Sequence, residues 1–517
     1  MSVDTPAWAR DAVFYQIFPD RFAASERVPK PAPMEPWDAP PTLHGFKGGD
    51  LLGVVEHLDH IASLGANAIY LNPIFQSASN HRYHTYDYFT VDPLLGGNEA
   101  LRELLDAAHA RDIRVVLDGV FNHTGRGFWP FHHVLESGAA SPYRRWFHFD
   151  EEALEHGIAV DAYPEGRERA GVGINDPVPG TDAGEGAASR AHFGYEAWWD
   201  LPALPKLNID EPVVREYVWS VAEHWLRFGI DGWRLDVPGE IQDPPFWAEF
   251  RRRCRAVNPE AYLVGEIWMV APDWVAGDRF DALMNYPLAE AILGFVAGGS
   301  LNEPLVWSHR EYAGIYPIDG PAFAGRLVEL LSAYDPDVTA VQLNLLGSHD
   351  TPRPISILGG DRAALELAVA LQATLPGAPC IYYGDEIGLA GGLDPDSRRA
   401  FPWNPARWDE ELLASTRRLF ALRHAEPLLR RGHLRIVDAH HGSVSFDRAD
   451  ENGRLAVGLN AGLEAGRLTL ARDARPGADA ELLFRAASVE RTELRVDGDG
   501  TLSIELAPRS AIVVRVP

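Results

Sequence analysis

Cysteine is nearly absent: Cys254 and Cys380 are the only two in 517 residues. They stand far apart and without ligand-type neighbours at metal spacing, which excludes a disulfide framework and a structural zinc site. Lysine is almost as scarce, with Lys30, Lys47 and Lys206 alone among 47 basic residues. The remainder are arginine, as a GC-rich genome would encode. Against 74 acidic residues they leave a net charge of −27, which disfavours nucleic acid and anionic membrane surfaces as partners. No uninterrupted apolar run reaches bilayer-spanning length. The first residues, MSVDTPAWARDAVFY, lack the basic and then apolar pattern of a secretory leader. These absences together lead to the expectation of a soluble, cytoplasmic protein.

Hydrophobic residues make up 46% of the chain, enough at this length for a large core and more than one domain. From Ala12 to Glu386 apolar segments and amphipathic segments alternate. The strand candidates include AVFYQIF, NAIYLNPIF, IRVVLDGVFNH, IDGWRLDV, YLVGEIW, FDALMNY, LNLLGSHD and PCIYYGDE. Helical periodicity separates most of them, as in EALRELLDAAHARD and EPVVREYVWSVAEHWLRFG. Eight strand–helix units predict an α/β fold of the (β/α)8 TIM-barrel type, with an open doubly wound sheet as the structural alternative. The rhythm breaks between about 124 and 204, where an aromatic piece (GFWPFHH, YRRWFHF) precedes a glycine-rich one; a gap this long reads as an inserted domain. After ELLASTRRLFALRHAEP the pattern changes to short alternating runs separated by turn residues, which predicts an antiparallel β-sandwich. The expected division is 1–123 and 205–430 for the barrel, 124–204 for the insert (domain B), and 431–517 for the sandwich.

Barrel enzymes place their chemistry where strands exit at the C-terminal face. Asp118, His123, Arg234, Asp236, Glu266, His349 and Asp350 all fall at such exits. Paired carboxylates suit cleavage of a glycosidic bond, one attacking or stabilising the anomeric carbon and the other protonating the leaving oxygen. Asp236 beside Arg234 is expected to stay ionised, because a nearby cation favours the charged form. Glu266, between Gly265 and the apolar Ile267 and Trp268, has the setting that raises a carboxyl toward general-acid use. Asp350 adds a third negative charge. No Ser-His-Asp order and no phosphate-cradling glycine loop competes with this set.

In order along the chain, DGVFNH (118–123), LPKLN (204–208), GWRLDVPGE (232–240), GEIW (265–268) and LLGSHDTPR (345–353) resemble the short motifs of the α-amylase family, glycoside hydrolase family 13. PKLN and Glu240 are most similar to its cyclomaltodextrinase, neopullulanase and maltogenic amylase branch. The resemblance covers roughly residues 8–430 as barrel plus insert, with the sandwich as domain C. It implies Asp236 as nucleophile, Glu266 as acid/base and Asp350 as the transition-state carboxylate. It implies sugar contacts from Arg234, His123, His349, Tyr83, His81, Asp87 and Arg353. Asp394 and Arg398 match a pair at the non-reducing end, and Phe128, Phe131 and Trp268 match aromatic residues of the acceptor side. Hydrolysis needs no cofactor. Gly48, Gly49 and Asp50 resemble half of a calcium loop, but AASERVPKP lacks the Asn/Asp cluster opposite them. Asn122 resembles a second calcium position, where Glu240 replaces the histidine of many α-amylases. No metal is predicted. Members of this branch commonly carry an N-terminal β-domain, whereas this sequence begins almost at the first barrel strand; oligomeric state is left open.

Each residue also has an ordinary reading. Asp118 braces Arg234 rather than reacting. Tyr83 and Phe128 are of types that more often fill cores. His81 and His84 suit a surface loop, Asp394 and Arg398 a loop ion pair, and Arg251, Arg252, Arg253 and Arg255 a solvated helix face. The expected function is a retaining α-glucan hydrolase acting on α-1,4 bonds of maltodextrins, cyclodextrins or soluble starch. The alternatives are a transglycosylating enzyme with the same site (a 4-α-glucanotransferase, or a sucrose- or trehalose-forming enzyme) and a catalytically silent glucan-binding protein. Chain-length preference, endo or exo action and α-1,6 cleavage are not readable from the residues.

Overall fold

The computed structural model describes residues 3–156, 160–163, 187–310, 312–486 and 494–517. Eight parallel strands form one sheet: β1 (Phe14–Ile17), β2 (Ala68–Leu71), β3 (Arg114–Gly119), β4 (Gly232–Leu235), β5 (Tyr262–Gly265), β6 (Ala282–Leu283), β7 (Leu343–Leu345) and β8 (Ala378–Tyr382). Their spatial order is β6-β5-β4-β3-β2-β1-β8-β7. A parallel bridge between Met284 and Leu343 joins β6 to β7 and closes the ring. The fold is therefore the TIM barrel. Because helices cover the outside and side chains fill the inside, β1, β2, β4 and β5 are buried at every position. The alternating exposure of a one-sided sheet is absent.

Local sequence explains how the central strand is set. The preceding helix Pro212–Phe228 starts on a proline at its first position and stops at Gly229, whose φ of 115° is open only to glycine without strain. At Gly232 a β-carbon would stand 2.2 Å from the Tyr262 carbonyl oxygen, so the close approach of β4 to β5 requires glycine there.

Several elements are shorter than their hydrophobic runs suggest. The first segment, expected as a strand out to Pro19, ends at Ile17, and Pro19 opens a helical turn, Pro19–Phe22. LLGVVEHLDHIASLG is two helices, Leu51–Glu56 and Leu58–Ser63, broken at His57. The His57 ring bonds to the Gly53 carbonyl oxygen and stacks on Trp403 at 3.6 Å, a local competitor to helix continuation. The piece GFWPFHH contributes to a helix, Trp129–Ser137. Most of the glycine-rich stretch expected to be irregular lies outside the described residues.

Beyond the barrel, strands β9 (His433–His440), β10 (Ser443–Asp450), β11 (Gly453–Asn460), β12 (Gly466–Ala471), β13 (Glu481–Ala486), β14 (Leu502–Leu506) and β15 (Ser510–Val516) build two antiparallel sheets. The five-stranded sheet has the order β9-β10-β11-β15-β13, and β12 pairs with β14. Leu468, Leu470, Leu502, Ile504 and Val514 pack in a core of their own. A buried arginine ties sandwich to barrel: Arg448 donates to the Thr374 and Gly432 carbonyls, while Arg423 donates to those of Ala373 and Leu375 within the barrel. Among the described residues no helix is long and apolar enough to cross a membrane.

Candidate active site

Register brings the central charges together. In the β3–β4 pairing Asp118 lies beside Arg234, and in β4–β5 Leu235 lies beside Gly265. The backbone continues the pattern one step further: the Asp236 amide donates to Gly119 and the Glu266 amide to Leu235. Three successive strand ends thus deliver Asp118, Arg234, Asp236 and Glu266 to one spot.

Arg234 is 0% exposed and holds the carboxylates with both terminal nitrogens. Its Nη1 donates to Asp118 Oδ1 at 2.8 Å and to Asp236 Oδ1 at 2.9 Å. Its Nη2 stands 2.9 Å from Glu266 Oε2. Glu266 Oε2 also accepts from the Val237 amide at 3.0 Å, while Trp268 Nε1 donates to Oε1 at 3.2 Å. Asp236 Oδ2 is buried and has no hydrogen-bond partner. Asp118 is buried and accepts from Arg234, Tyr70 and Tyr83. Bracing Arg234 is its structural role.

Asp350 approaches from β7. His349 Nε2 lies 3.1 Å from its Oδ2, and Arg398 Nη2 donates to its Oδ1 at 3.2 Å. The tautomer of His349 follows from its other nitrogen. Gln16 and Asn72 both point amide N–H groups at His349 Nδ1, each at 3.0 Å, so Nδ1 accepts and Nε2 carries the proton. Tyr83 then joins His349 (2.6 Å, rings parallel at 5.4 Å) to Asp118 (2.9 Å). Gln16 and Asn72 were not anticipated as site residues. Their signal was a polar amide at the exit of an apolar strand, FYQI and AIYLN.

Charge balance decides the titration. Two guanidiniums, Arg234 and Arg398, face five carboxylates: Asp118, Asp236, Glu266, Asp350 and Asp394. Burial pushes Asp236 well above the usual carboxylate range; Arg234 opposes, and the charges of Glu266, Asp118 and Asp350 add to the rise. Arg234 is thus one influence among several on Asp236, with desolvation and three like charges acting against it. Asp350 is pushed up to about 7 by burial and by Glu266, with Arg398 and Arg234 opposing. The 32% of its side chain that still faces the cleft tempers that rise. His349 and His123 are both held low by burial and are neutral, His123 at about 3.

The remaining residues divide. His123 stacks on Trp198 at 4.8 Å, and His81 accepts from the Tyr83 amide with its ring 5.8 Å from Tyr83. Trp268 lies flat on Tyr286 at 3.5 Å and reaches Glu266. Four expectations need correction. Phe131 is 0% exposed among Phe147, Phe149 and Tyr195, and Phe128 is buried against Tyr88 and Tyr217; both are core of the insert and offer no acceptor surface. Asp87 folds onto its own strand, accepting from the Phe89 amide and the Thr90 hydroxyl. Arg353 is fully buried, bonded to Asp385 and to the Tyr383 and Ser397 carbonyls with Tyr382 beneath it. It holds the loop that carries Arg398 instead of touching sugar. Arg398 does pair with Asp394 (3.1 Å), and its other nitrogens go to Asp350 and the His349 carbonyl, so it braces a carboxylate of the site.

The half calcium loop does not fit a cation. Asp50 is fully buried, and its carboxylate is filled by the Gly53 and Ser25 amides and by the Lys30 ammonium at 3.0 Å. Lys30 also donates to the Leu94 carbonyl at 2.7 Å. A tethered cation already occupies the position. At the second position Glu240 turns to Lys206, 3.9 Å away. Among the described residues no group of three or more His, Cys, Asp or Glu side chains forms a metal cluster. The expected result is that a chelator leaves the melting temperature of the protein unchanged. Lys30→Met, which strands a buried carboxylate, is expected to cost about 3 kcal/mol, read from the shift in denaturation midpoint.

A closed barrel whose adjacent strand ends converge an arginine and several carboxylates on one cleft defines the class, a glycoside hydrolase. Residues 16–416 match the alpha-amylase family, catalytic domain, and the chain belongs to that family. It is 40% identical over 474 residues to a cyclomaltodextrinase of Geobacillus thermopakistaniensis, covering 91% of this chain and 72% of that one. Identity to neopullulanase 2 of Thermoactinomyces vulgaris is 39% over 460 residues, covering 88% and 70%. Among solved structures, a debranching enzyme from Nostoc punctiforme superposes with a TM-score of 0.85 at 45% identity, covering 100% of both chains.

Proposed function

We propose that this enzyme hydrolyses α-1,4-glucosidic bonds of maltodextrins and cyclodextrins with retention of anomeric configuration. One observation carries the reading: Asp236 and Glu266 are held by the two ends of a single guanidinium, and Asp236 keeps one oxygen free. Two carboxyls held on one guanidinium suit the close separation, roughly 5 Å, used in double displacement.

Asp236 Oδ2 attacks the anomeric carbon as the bond to the leaving oxygen breaks. Glu266 supplies the proton to that oxygen. With Oε2 committed to Val237 and Arg234, Oε1 is the oxygen that carries it. Water then enters, Glu266 takes its proton, and the released hydroxide oxygen displaces Asp236 from the sugar. Asp350, anchored by Arg398, faces the positive charge that develops on the ring. Tyr83 lines the space where that ring sits, held from behind by the buried His349. A sugar hydroxyl replacing water in the second half gives transglycosylation from the same intermediate. The likeness to an intracellular maltogenic amylase supports a cytoplasmic enzyme.

Chromatography of products from maltoheptaose, β-cyclodextrin and pullulan, with the first-formed anomer followed by NMR, tests this reading. Short maltooligosaccharides appearing first as the α-anomer are expected. A β-anomer, or no new reducing ends from any of the three, would overturn it; longer chains at high substrate would assign the transfer activity.

A further inference from the structure

We propose that Gln16, on the first barrel strand, is a positioning residue for the reaction: with Asn72 it fixes which nitrogen of His349 carries the proton, and so turns that proton toward Tyr83 and Asp350. The roles of Tyr83 and Asp350 rest on the α-glucan reading above, whereas the order of the hydrogen bonds does not. Gln16 lies on β1, paired with Tyr70 of β2 on one side and Tyr382 of β8 on the other. Asn72 follows the last residue of β2, and His349 stands beyond the end of β7. Three strand exits thus bring two amides and one imidazole together.

The direction of each hydrogen bond is fixed from both ends. Gln16 Nε2 is 3.1 Å from Asn72 Oδ1 and 3.0 Å from His349 Nδ1, so it gives one hydrogen to each. The first bond holds the Asn72 amide with its nitrogen toward His349 Nδ1, 3.0 Å away, and toward the Tyr83 hydroxyl. Donors aimed at Nδ1 leave the imidazole proton on Nε2. At the far end Asp118, paired with Arg234, accepts from the Tyr83 hydroxyl at 2.9 Å. The Tyr83 oxygen is then the acceptor for His349 Nε2 at 2.6 Å. Asp350 Oδ2 is 3.1 Å from that same nitrogen. In the other tautomer a bare lone pair would face this carboxylate, and Tyr83 would turn its proton away from Asp118.

Packing alone does not call for an amide at this position. Gln16 is fully buried, as are Tyr15 and Ile17 beside it, and its Oε1 has no hydrogen-bond partner. A buried acceptor left unpaired is a cost, which a methionine of similar length would avoid. The strand is held through its backbone, as where the Tyr383 amide donates to the Gln16 carbonyl. What glutamine adds is its N–H groups, and their effect reaches the charge of Asp350. Burial and the charges of Glu266 and Asp394 raise that carboxyl, while Arg398 and Arg234 oppose. Asp236 and Tyr286 also face it, and His309 donates to its backbone carbonyl. A proton-bearing nitrogen of His349 acts with the two arginines, whereas a lone pair there would act against them.

Gln16→Met removes both N–H groups and frees the Asn72 amide to turn its oxygen toward Nδ1. Nitrogen NMR of isotope-labelled histidine, with the His349 signals assigned by their loss in His349→Asn, reads the tautomer directly. Wild type is expected to show a bare Nδ1 and a protonated Nε2, and in Gln16→Met the proton is expected to appear on Nδ1. The same variant is expected to melt at or above the wild-type temperature. Its kcat on maltoheptaose should fall about tenfold, with KM close to native. The acid limb of its kcat/KM profile should move to higher pH, because the charged form of Asp350 has lost a favourable neighbour. A wild-type His349 protonated on Nδ1 overturns the proposal, and so does a native kcat in Gln16→Met, or lost activity with the tautomer unmoved. Failure of the wild type to cleave any glucan overturns only the functional reading, since the nitrogen spectra do not depend on turnover.

Discussion

Asp236→Asn is expected to lower kcat/KM on maltoheptaose by at least roughly 10⁴-fold, the scale seen when a covalent nucleophile is removed. The amide keeps the shape and one acceptor for Arg234, so binding survives and the loss falls on kcat. Stability moves the other way. In the folded protein Asp236 is held above its ordinary range by burial and by Glu266, Asp118 and Asp350, whereas in the unfolded chain it titrates at about 3.9. Between those two values the folded state retains a proton that the unfolded state has released. Wild-type stability therefore falls as pH rises through that window, and above the folded pKa the full penalty applies. Asparagine has no proton to lose there. The melting-temperature difference, variant minus wild type, should be near zero at about pH 4 and grow positive toward pH 8. A variant that still turns over maltoheptaose at near the native rate would remove Asp236 from the nucleophile's position, and one less stable than wild type at neutral pH would show that pairing with Arg234 outweighs burial there.

Arg234→Met is the second large effect, and here stability and activity fall together. The guanidinium is the shared partner of Asp118, Asp236 and Glu266. Methionine fills similar volume and leaves three carboxylates without it. Breaking one side of a buried ion pair costs about 3–5 kcal/mol, because a charge remains unpaired in low dielectric. The loss should shrink as pH falls and the stranded carboxylates take up protons. A denaturation midpoint insensitive to this substitution would show that Arg234 is not the hub. Arg234→Lys is expected to rescue little, since a single ammonium cannot present two opposed nitrogens to Asp236 and Glu266.

How much of this was legible depends on what each residue needed. Asp118, Arg234, Asp236 and Glu266 could be placed because a parallel barrel sends every strand end to one face, so position along the chain gives position in space. Asp350 and His349 followed for the same reason. Phe128, Phe131, Asp87 and Arg353 were misassigned because nearness to a motif does not state where a side chain points. Each turned inward or onto its own backbone once neighbours were in place.

Composition and hydrophobic rhythm by themselves determined the eight strand–helix units, the break after the third strand, the sandwich behind the barrel, and the carboxylates at the strand exits. These follow from short-range periodicity and from a rule of topology. Only the tertiary structure decided that one guanidinium joins three carboxylates, that Lys30 fills the place of a cation, that Arg353 lies beneath the site, and that Trp198 stacks on His123. Each of these is a contact between segments far apart in the chain, fixed by packing and desolvation rather than by any local preference.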